Sequence, residues 1–474
     1  MLESVHQTEC AESAEYAKSA ESAEEADVVV VGAGVAGLAA AHHLARSGLS
    51  VAVLEAAPAV GGRMGTEKVD GFRLDRTAPL LLTSYPELRR VPALAPVVLR
   101  PFSSEVLLHA DGRLHSGPAA PAHARSARGA LTAVRAFAGV PRLPRVQGAA
   151  RAPRPGPLGT PADQSRLAVS LARLAATPPE RLLARPELPT AQALLSRGFP
   201  ARSVDGLLRP LLTALLGDPA LQTSSRSADL ALRSFATGRF CLPEGGADSV
   251  PDLLAAALPP GTVRTGVRVL SVGTTSVTTA EHGVLGCRAV LLATGARAAA
   301  ELLPGLRVPG FHPVTVLHHT TDELPPRLRE PALVLDADRS GPVSHTAVIS
   351  QVDPSRAPAG RALISSTVLG TPPAPAHLDA TVRAQLARLY GTPTARWELL
   401  AVHHDAEAVP AMPPPHDPHR PVRLLAGLYV CGDHRDSGTV QGALHSARRA
   451  AHAVLTDLDV RAAPPEEECL GTAA

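Results

Sequence analysis

A short segment near the amino terminus, residues 27–55, constrains the fold of this chain more than any other. Its apolar run, Val28 to Val31, is typical of a parallel strand that is buried on both faces. The spacing G-x-G-x-x-G follows, and a helix is predicted from Val35 to Ser47. A second apolar strand, Ser50 to Leu54, leads to the acid Glu55. This order of strand, glycines, helix, strand and acid predicts a βαβ unit that binds a dinucleotide.

Each glycine of this turn has a separate task in such a unit. Gly32 permits the tight turn after the strand, Gly34 lets the backbone approach a pyrophosphate, and Gly37 lets the helix pack close to the sheet. The first helical turn carries the positive end of the helix dipole, which favours a phosphate. Glu55 is placed to accept hydrogen bonds from ribose hydroxyls. The predicted contacts in this unit are Gly32, Ala33, Gly34, Val35, Ala36, Gly37, Glu55 and Ala56.

A second glycine pair follows Glu55. Gly61-Gly62-Arg63, with Thr66 three residues later, resembles the G-G-R-x-x-T element of the flavin amine oxidase, phytoene desaturase and protoporphyrinogen oxidase superfamily. In that superfamily the glycines lie close to the phosphates and ribityl chain of FAD, and the arginine helps to neutralise the pyrophosphate. An arginine suits this role because its planar fork stays charged and holds two oxygens. The resemblance therefore implies FAD as the cofactor.

The far end of the chain supplies the other half of the predicted site. An apolar strand, Leu428 to Cys431, runs into Gly432-Asp433, and a helix is predicted from about Thr439. This is similar to the C-terminal FAD motif of the same superfamily, in which the acid binds the ribityl chain and the helix N-terminus lies near the flavin O2. Backbone amides there stabilise the charge of a reduced flavin. The flavin-side residues implied are Gly432, Asp433, Val440, Gln441, Gly442 and Ala443.

Two further strands resemble superfamily elements. Residues 263–270 resemble the strand whose valine, here Val267, contacts adenine through its backbone. Residues 289–295 resemble the strand that closes the FAD domain, with Thr294 near its end. The resemblance runs from about Asp27 to Leu455. It implies an α/β fold of the glutathione-reductase type, with a doubly wound Rossmann-like FAD domain and an α+β substrate domain.

The chain of 474 residues is too long for one simple core, and two domains are expected. We expect the FAD domain to be assembled from residues 27–110, 246–305 and 421–458. The substrate domain would take residues 163–245, which carry helical patterns, and 306–420. The remaining segments are an acidic disordered tail, 1–26, an Arg/Pro-rich insertion, 111–162, and a flexible tail, 459–474. Helices are predicted at 166–176, 190–195, 204–216 and 227–235, and substrate-domain strands at 314–319, 332–335, 346–350 and 362–368.

The insertion has an unusual charge. Residues 112–162 contain eight Arg and no Asp or Glu. Two interpretations stay open: a basic surface that leans on an anionic membrane near the entrance for a lipophilic substrate, or a poorly ordered linker of biased composition. The composition favours the second.

Composition excludes several other classes of protein. A net charge of +2 argues against nucleic acid as a partner. Five cysteines without paired spacing predict neither a metal site nor a disulfide framework, and so a reducing compartment such as the cytoplasm. No apolar stretch is long enough to span a bilayer, although peripheral membrane contact stays open. No cysteine lies just before the C-terminal motif, as in the covalently flavinylated amine oxidases, so FAD is expected to be non-covalent.

Some features of this chain depart from the amine oxidase pattern. There is no lysine after Lys68, whereas many amine oxidases place one near flavin N5. Aromatic residues make up only 3%, and Trp397 and Tyr429 are the candidates for the aromatic pair of that branch. Gly432-Asp433 matches the desaturase and porphyrinogen oxidase branches, since typical amine oxidases carry Gly-Glu there.

These features predict a desaturase-like FAD-dependent oxidoreductase. Its substrate would be hydrophobic, such as an isoprenoid or polyene, and would give a hydride to the flavin, with oxygen or a quinone as electron acceptor. An amine or amino-acid oxidase is the alternative, and a non-enzymatic carrier of prenylated GTPases, which shares the fold, is a third. No catalytic residue is identified. The nearest polar candidates are His434, Arg435 and Asp436, and the triplet His403-His404-Asp405, whose two histidines should point to opposite faces of a strand.

Overall fold

The computed structural model describes residues 26–119, 159–326, 328, 330–371 and 375–464. The predicted acidic tail except Ala26, most of the Arg/Pro-rich insertion and the last ten residues of the predicted flexible tail therefore lie outside the described residues. The question of a basic membrane-facing surface falls there.

The strands, in chain order, are β1 Ala26–Val31, β2 Val51–Glu55, β3 Thr66–Val69, β4 Phe72–Asp75, β5 Leu81–Leu82, β6 Leu99–Pro101, β7 Glu105–Ala110, β8 Arg113–Ala119, β9 Phe240–Pro243, β10 Val263–Thr265, β11 Val269–Val272, β12 Ser276–Thr279, β13 Gly283–Leu292, β14 Phe311–Thr321, β15 Val334–Asp336, β16 Val343–Val348, β17 Ala362–Leu369, β18 Glu398–Pro410, β19 Arg423–Leu425 and β20 Leu428–Val430. The α-helices are α1 Val35–Arg46, α2 Glu87–Arg90, α3 Pro161–Ala176, α4 Pro179–Leu183, α5 Thr190–Ser196, α6 Ala201–Ser203, α7 Arg209–Leu216, α8 Ser225–Thr237, α9 Ser249–Ala256, α10 Ala296–Leu302, α11 Ile349–Val352, α12 Pro375–Tyr390 and α13 Val440–Asp457.

The first sheet is built around the parallel strand order β10-β2-β1-β13-β20, and β12, β11 and β19 extend it in antiparallel pairs. Val28 and Val30 of β1 enter one hydrophobic core, and Val29 and Val31 enter another on the opposite face. The continuous apolar run of β1 follows from burial on both faces. Helices α1 and α13, from opposite ends of the chain, pack together against this sheet.

One predicted strand is divided in the structure. The sequence indicated a single strand over residues 263–270, but Gly266 adopts φ +74° and separates β10 from β11. The amide of Val267 donates to the carbonyl of Glu55 at 2.9 Å. The chain therefore leaves the parallel sheet beside the end of β2, and Val267 lies in the link between two strands.

The second sheet has the order β18-β14-β17-β16-β15-β7-β8. Helix α12 covers one face, where Leu317 of β14 and Ile364 of β17 share a core with Leu386. The predicted domain boundary after residue 110 cuts the β7–β8 hairpin, which joins this sheet as a whole.

The helical region supports the second sheet. Helices α3, α5 and α8 extend the predicted segments by a few residues. The predicted helix 204–216 is instead a π-helical turn, Val204–Leu208, followed by α7. Pro210 lacks the amide that a regular helix would bond to the carbonyl four residues earlier, which accounts for the interruption.

Candidate functional site

A cavity of about 1180 Å³ lies between the first sheet, the second sheet and α7. Its volume exceeds the roughly 300–1,000 Å³ of ordinary small-molecule pockets. The cavity could therefore hold a dinucleotide and a second molecule together. Residues from both ends of the chain line it, from Val31 to Ala443.

The three glycines after β1 face different surroundings. A Cβ on Gly32, at φ +105°, would lie 3.1 Å from the carbonyl of Ala293, and one on Gly37 would lie 2.0 Å from the oxygen of Gly32. These two are therefore required by packing within the fold. A Cβ on Gly34 would meet nothing within 4 Å, and Gly34 lines the cavity. Its missing side chain leaves room at the N-terminus of α1 for a ligand.

Glu55, at the end of β2, joins the glycine turn to the cavity wall. Its Oε2 accepts from the amide of Ala33 at 2.8 Å, and its Oε1 accepts from the amide of Ala57 at 2.9 Å. Both bonds leave lone pairs on a carboxylate that lines the cavity. Val267 and Thr294 line the same end. This end therefore combines backbone and acid acceptors suited to a nucleoside.

The Gly61-Gly62-Arg63 turn lies directly against the first glycine turn. Gly61 and Gly62 adopt φ +110° and +56°, and the amide of Gly61 donates to the carbonyl of Ala33 at 2.9 Å. The Arg63 guanidinium donates from Nη1 to Asp433 Oδ2 and from Nη2 to Asp433 Oδ1, both at 2.7 Å. Asp433 raises the pKa of Arg63, so its positive charge persists at the cavity wall.

The C-terminal motif supplies the opposite wall. Thr439 caps α13, because its Oγ1 accepts from the amide of Gly442 at 3.1 Å. A Cβ on Gly442 would lie 2.0 Å from the carbonyl of Ser437, so this position also requires glycine. Val440 and Ala443 in the first turn of α13 line the cavity. The N-terminus of α13 thus presents partial positive charge to the cavity.

The end of the cavity that is bounded by the second sheet has an apolar wall. Phe311, Val314 and Leu369 come from β14 and β17, and the segment Ala214–Gly217 comes from the end of α7 and the glycine that follows it. His345 on β16 and Thr367 on β17, which are register partners, interrupt this wall, and β18 adds the polar side chains His403, His404, Asp405 and Glu407 to the lining. Burial lowers the pKa of His345 to about 4, so its imidazole is neutral at pH 7.

The matching family model covers residues 35–455 and describes flavin containing amine oxidoreductases. The chain belongs to this family. It is therefore a flavin-dependent oxidoreductase, and the Gly34 opening, the two convergent glycine turns and the capped α13 fit a flavin cofactor.

Individual relatives match over shorter stretches. The chain is 55% identical to phytoene dehydrogenase of Streptomyces griseus over 56 residues, which are 12% of this chain and 11% of that protein. It is 61% identical to lysine-specific histone demethylase 1 homolog 3 of Arabidopsis thaliana over 41 residues, 9% of this chain and 2% of that one. The chain thus matches only a small part of the length of these relatives.

Solved structures match over almost the whole chain. An oxidoreductase from Methanosarcina mazei has a TM-score of 0.65 at 17% identity and covers 90% of this chain and 99% of its own. A triple mutant of putrescine oxidase has a TM-score of 0.65 at 19% identity, with coverage of 91% and 99%. Reduced UDP-galactopyranose mutase has 0.65 at 14% identity, with 91% and 96%. This likeness establishes the predicted two-domain fold.

Most of the predicted cofactor residues of this flavin-dependent oxidoreductase lie at the cavity. Those that line it are Gly32, Gly34, Val35, Ala36, Glu55, Ala56, Gly61, Gly62, Arg63, Val267, Thr294, Gly432, Asp433, Val440 and Ala443. Ala33 in the turn and Gly37 in the first turn of α1 do not line the cavity. The Gln441 side chain accepts from the amide of Glu87 at 3.0 Å and is not part of the lining. Its role toward the cofactor stays a prediction.

The polar candidates beside Asp433 do not reach the cavity. Burial lowers the pKa of His434 to about 4, and Arg435 donates to the carbonyl of Pro421. Asp436 accepts from His445 Nδ1 at 2.7 Å. These groups hold the loop before α13 in place, and neither His434 nor Asp436 is the solvated residue that a surface loop would present, since both are buried.

The histidine pair of β18 follows the predicted alternation. His404 contacts Thr315 Oγ1 through Nδ1 at 2.9 Å, and His403 packs edge-on against His318 at 5.6 Å between ring centroids. His403 also lies 3.5 Å from the exposed Glu67 carboxylate. His403, His404 and Asp405 all belong to the cavity lining, which a strand pattern alone does not reveal.

The aromatic candidates lie elsewhere. Trp397 packs against Tyr390 beneath the second sheet, and Tyr429 is fully buried in β20 with its hydroxyl on Asp457. Among the described residues, the Phe, Tyr and Trp side chains that line the cavity are Tyr85 and Phe311. Sequence reasoning missed both, together with His345 and Thr367, because no local motif marks them.

Proposed function

We propose that the cavity binds FAD without a covalent link, and that the chain oxidises a largely apolar substrate in the manner of a desaturase. FAD, when bound, supplies the redox chemistry by accepting a hydride equivalent. The observation that carries the substrate class is the apolar wall of Phe311, Val314, Leu369 and residues 214–217. A flexible apolar molecule gains about 25 cal/mol for each Å² that it buries there.

The protein residues divide the cofactor between them. The open N-terminus of α1 at Gly34 suits the pyrophosphate, and Glu55 suits the ribose hydroxyls. Arg63 and Asp433 stand where the ribityl chain and pyrophosphate would pass. The N-terminus of α13 would place backbone amides against the ring, where they stabilise negative charge without a titratable group.

The cysteines support non-covalent binding. Among the described residues, Cys241, Cys287 and Cys431 are free, and none of them lines the cavity. Burial raises the pKa of Cys241 and of Cys431 to about 12, so both remain thiols at pH 7. A protonated, enclosed thiol is a poor nucleophile.

The polar pair in the apolar wall refines the proposed substrate. Neutral His345 and Thr367 would form hydrogen bonds with one uncharged polar group of an otherwise apolar substrate. Oxygen or a quinone would reoxidise the flavin. The proposed function involves no nucleic acid and no membrane-spanning segment. Among the described residues, no helix is long and apolar enough to cross a bilayer.

The cofactor is tested on freshly purified protein. Denaturation should release FAD into solution, and the protein stripped of flavin should bind FAD again when FAD is added. Glu55→Ala should weaken FAD binding by about 1–2 kcal/mol through the lost hydrogen bonds. If no FAD is released and reconstitution fails, the cofactor proposal is wrong. An unchanged dissociation constant in Glu55→Ala removes Glu55 as the ribose ligand.

The substrate class is tested by anaerobic flavin reduction with a panel of polyenes, porphyrinogens and small amines. We expect lipophilic compounds to reduce the flavin, and Leu215→Gln in the apolar wall to raise their KM. Leu195→Gln, at a position 61% exposed on α5, is the matched control and should leave KM unchanged. Rapid reduction by a small polar amine, with no response to any lipophilic compound, would favour the amine oxidase alternative.

A further inference from the structure

Three metal-binding side chains meet at the edge of the second sheet. His109 is the penultimate residue of β7, Asp336 is the last residue of β15, and Asp338 follows it in the β15–β16 loop. His109 Nδ1 lies 3.2 Å from Asp338 Oδ2 and 3.9 Å from Asp336 Oδ1. One ligand atom from each residue lies within 4.8 Å of the other two. None of the three lines the flavin cavity.

The fold holds these groups in place through other bonds. Asp336 and His109 are register partners in the parallel pair β15–β7. The Oδ2 of Asp336 accepts from the amide and hydroxyl of Ser340 at 2.8 and 2.9 Å and from Gln385 Nε2 at 2.6 Å. Asp338 accepts from the amide of Asp111 at 2.9 Å. One oxygen of Asp336 is therefore fixed, and its other oxygen is turned toward His109.

Two of the three inward atoms lack a hydrogen-bond partner. His109 is 3% exposed, and its Nδ1 makes no hydrogen bond. The Oδ1 of Asp336, whose side chain is fully buried, makes none either. A buried carboxylate oxygen without a partner is costly, and a cation bound there would remove that cost. The Asp338 side chain is 31% exposed and gives the site an opening to solvent.

We propose that His109, Asp336 and Asp338 bind a zinc ion. Tetrahedral ligands with bonds of about 2.1 Å to zinc are separated by about 3.4 Å, and the two measured His–Asp distances lie on either side of this value. One imidazole and two carboxylates suit Zn²⁺, with water as a fourth ligand, whereas Ca²⁺ and Mg²⁺ prefer oxygen throughout. The two carboxylates balance the charge of the ion.

The electrostatic surroundings permit a cation. Among the described residues, neither Asp336 nor Asp338 forms an ion pair with an arginine, and Arg388 donates instead to the carbonyl of Ser340 at 2.8 Å. A second His/Asp group, His419, Asp436 and His445, differs in this respect. There the Arg449 guanidinium lies 3.4 Å from the Asp436 carboxylate and occupies the place that a cation would need. We propose no ion at that group.

The ion would act as a structural tie. It would connect the β7–β8 turn, through His109 and the contact of Asp338 with Asp111, to the β15–β16 loop. The expected result of zinc binding is therefore a more stable protein with unchanged flavin content and turnover. The cysteine spacing predicted no metal site. The ligands proposed here are a histidine and two aspartates from distant parts of the chain, so cysteine spacing could not indicate them.

The test uses the full-length, flavin-loaded protein after treatment with a chelator. Titration with ZnCl₂ in a calorimeter should show one tight site per chain, and saturation should raise Tm by about 2–5 °C. His109→Gln and Asp338→Asn should each weaken this site at least about tenfold, since one ligand is lost. His282→Gln, which removes an exposed imidazole on the first sheet, should bind zinc as the unaltered protein does.

The alternative is that His109 and the two aspartates contact one another directly, without a metal ion. In that case zinc would show no stoichiometric binding, or binding that both variants leave unchanged, and the proposal would be wrong. Asp338→Asn lies at the partly exposed ligand, so it keeps the test decisive even if His109→Gln fails to fold.

Discussion

Arg63 and Asp433 form a two-pronged ion pair in the wall of the cofactor cavity, with both N–O distances at 2.7 Å. The two residues are 370 positions apart in the chain. Arg63 Nη1 also donates to the carbonyl of Ala408 at 2.8 Å, on the strand that connects the second sheet to the site. A single guanidinium therefore joins the N-terminal glycine turn, the C-terminal motif and β18.

Asp433→Asn should loosen this junction. The amide cannot accept from both prongs of Arg63 and carries no charge, so the arginine loses its partner beside the cofactor. We expect FAD to bind more weakly by about 1–3 kcal/mol, as for lost hydrogen bonds to charged groups. Flavin fluorescence during titration of the stripped protein measures this, and equal affinity in the variant would show that the pair does not organise the site.

Gly34→Ala should weaken cofactor binding without lowering the stability of the fold. A Cβ at this position meets no protein atom within 4 Å, but it points into the cavity at the N-terminus of α1. We expect an unchanged Tm for the stripped protein and FAD binding weakened at least about tenfold, or ~1.4 kcal/mol. Gly310→Ala, whose Cβ would make one ordinary contact at 3.8 Å, is the control and should retain FAD. Full FAD affinity in Gly34→Ala would contradict the placement of the pyrophosphate.

The buried histidine of the substrate wall should make stability depend on pH. Burial lowers the pKa of His345 from 6.5 to about 4. As pH falls below 6.5 the unfolded chain takes up a proton at this residue, whereas the folded chain does not until about pH 4. The free energy of unfolding therefore falls over that window, by on the order of 1–3 kcal/mol for one such site.

His345→Phe should make this decline shallower. Urea unfolding at several pH values between 4 and 6.5 measures the slope, with the exposed His282→Phe as a control that keeps it. The same variant should raise the KM for substrates that carry a hydrogen-bonding group and leave flavin content unchanged. A slope identical to that of the unaltered protein would mean that folding does not lower the pKa of His345.

Arg356→Met should destabilise the protein strongly. Arg356 is 1% exposed, and its Nη2 lies 2.8 Å from Asp75 Oδ1, while its Nε donates to the carbonyl of Arg73 at 3.0 Å. Removing the cation leaves a buried carboxylate without its counter-charge, which costs about 3–5 kcal/mol. Arg361→Met is the matched control, since Arg361 pairs with the exposed acids Asp322 and Glu398 and its loss should change little. Denaturant unfolding measures the free energy of unfolding of both variants. Equal decreases in the two would show that the buried ion pair stabilises the fold no more than the exposed one.

The sequence by itself determined the parts of this protein whose physics is local. A glycine turn between an apolar strand and a helix can be recognised because the φ angles and the missing Cβ atoms are required within a few residues. The βαβ unit was predicted for this reason, whereas the Gly61-Gly62-Arg63 element and the helix from about Thr439 were predicted from their resemblance to superfamily motifs. The apolar run of β1 predicted a strand that is buried on both faces, which the structure has.

Only the tertiary structure decided which distant residues meet. The pairing of Arg63 with Asp433, the place of His345 and Thr367 in the apolar wall, and the approach of His109 to Asp336 depend on strand order and register. A one-residue shift in register would turn the strand residues His345, Thr367, His109 and Asp336 to the other face of the second sheet. The break at Gly266 likewise depends on where the chain must leave the sheet to contact Glu55. Such choices are made by packing between elements, and no local pattern in the sequence carries them.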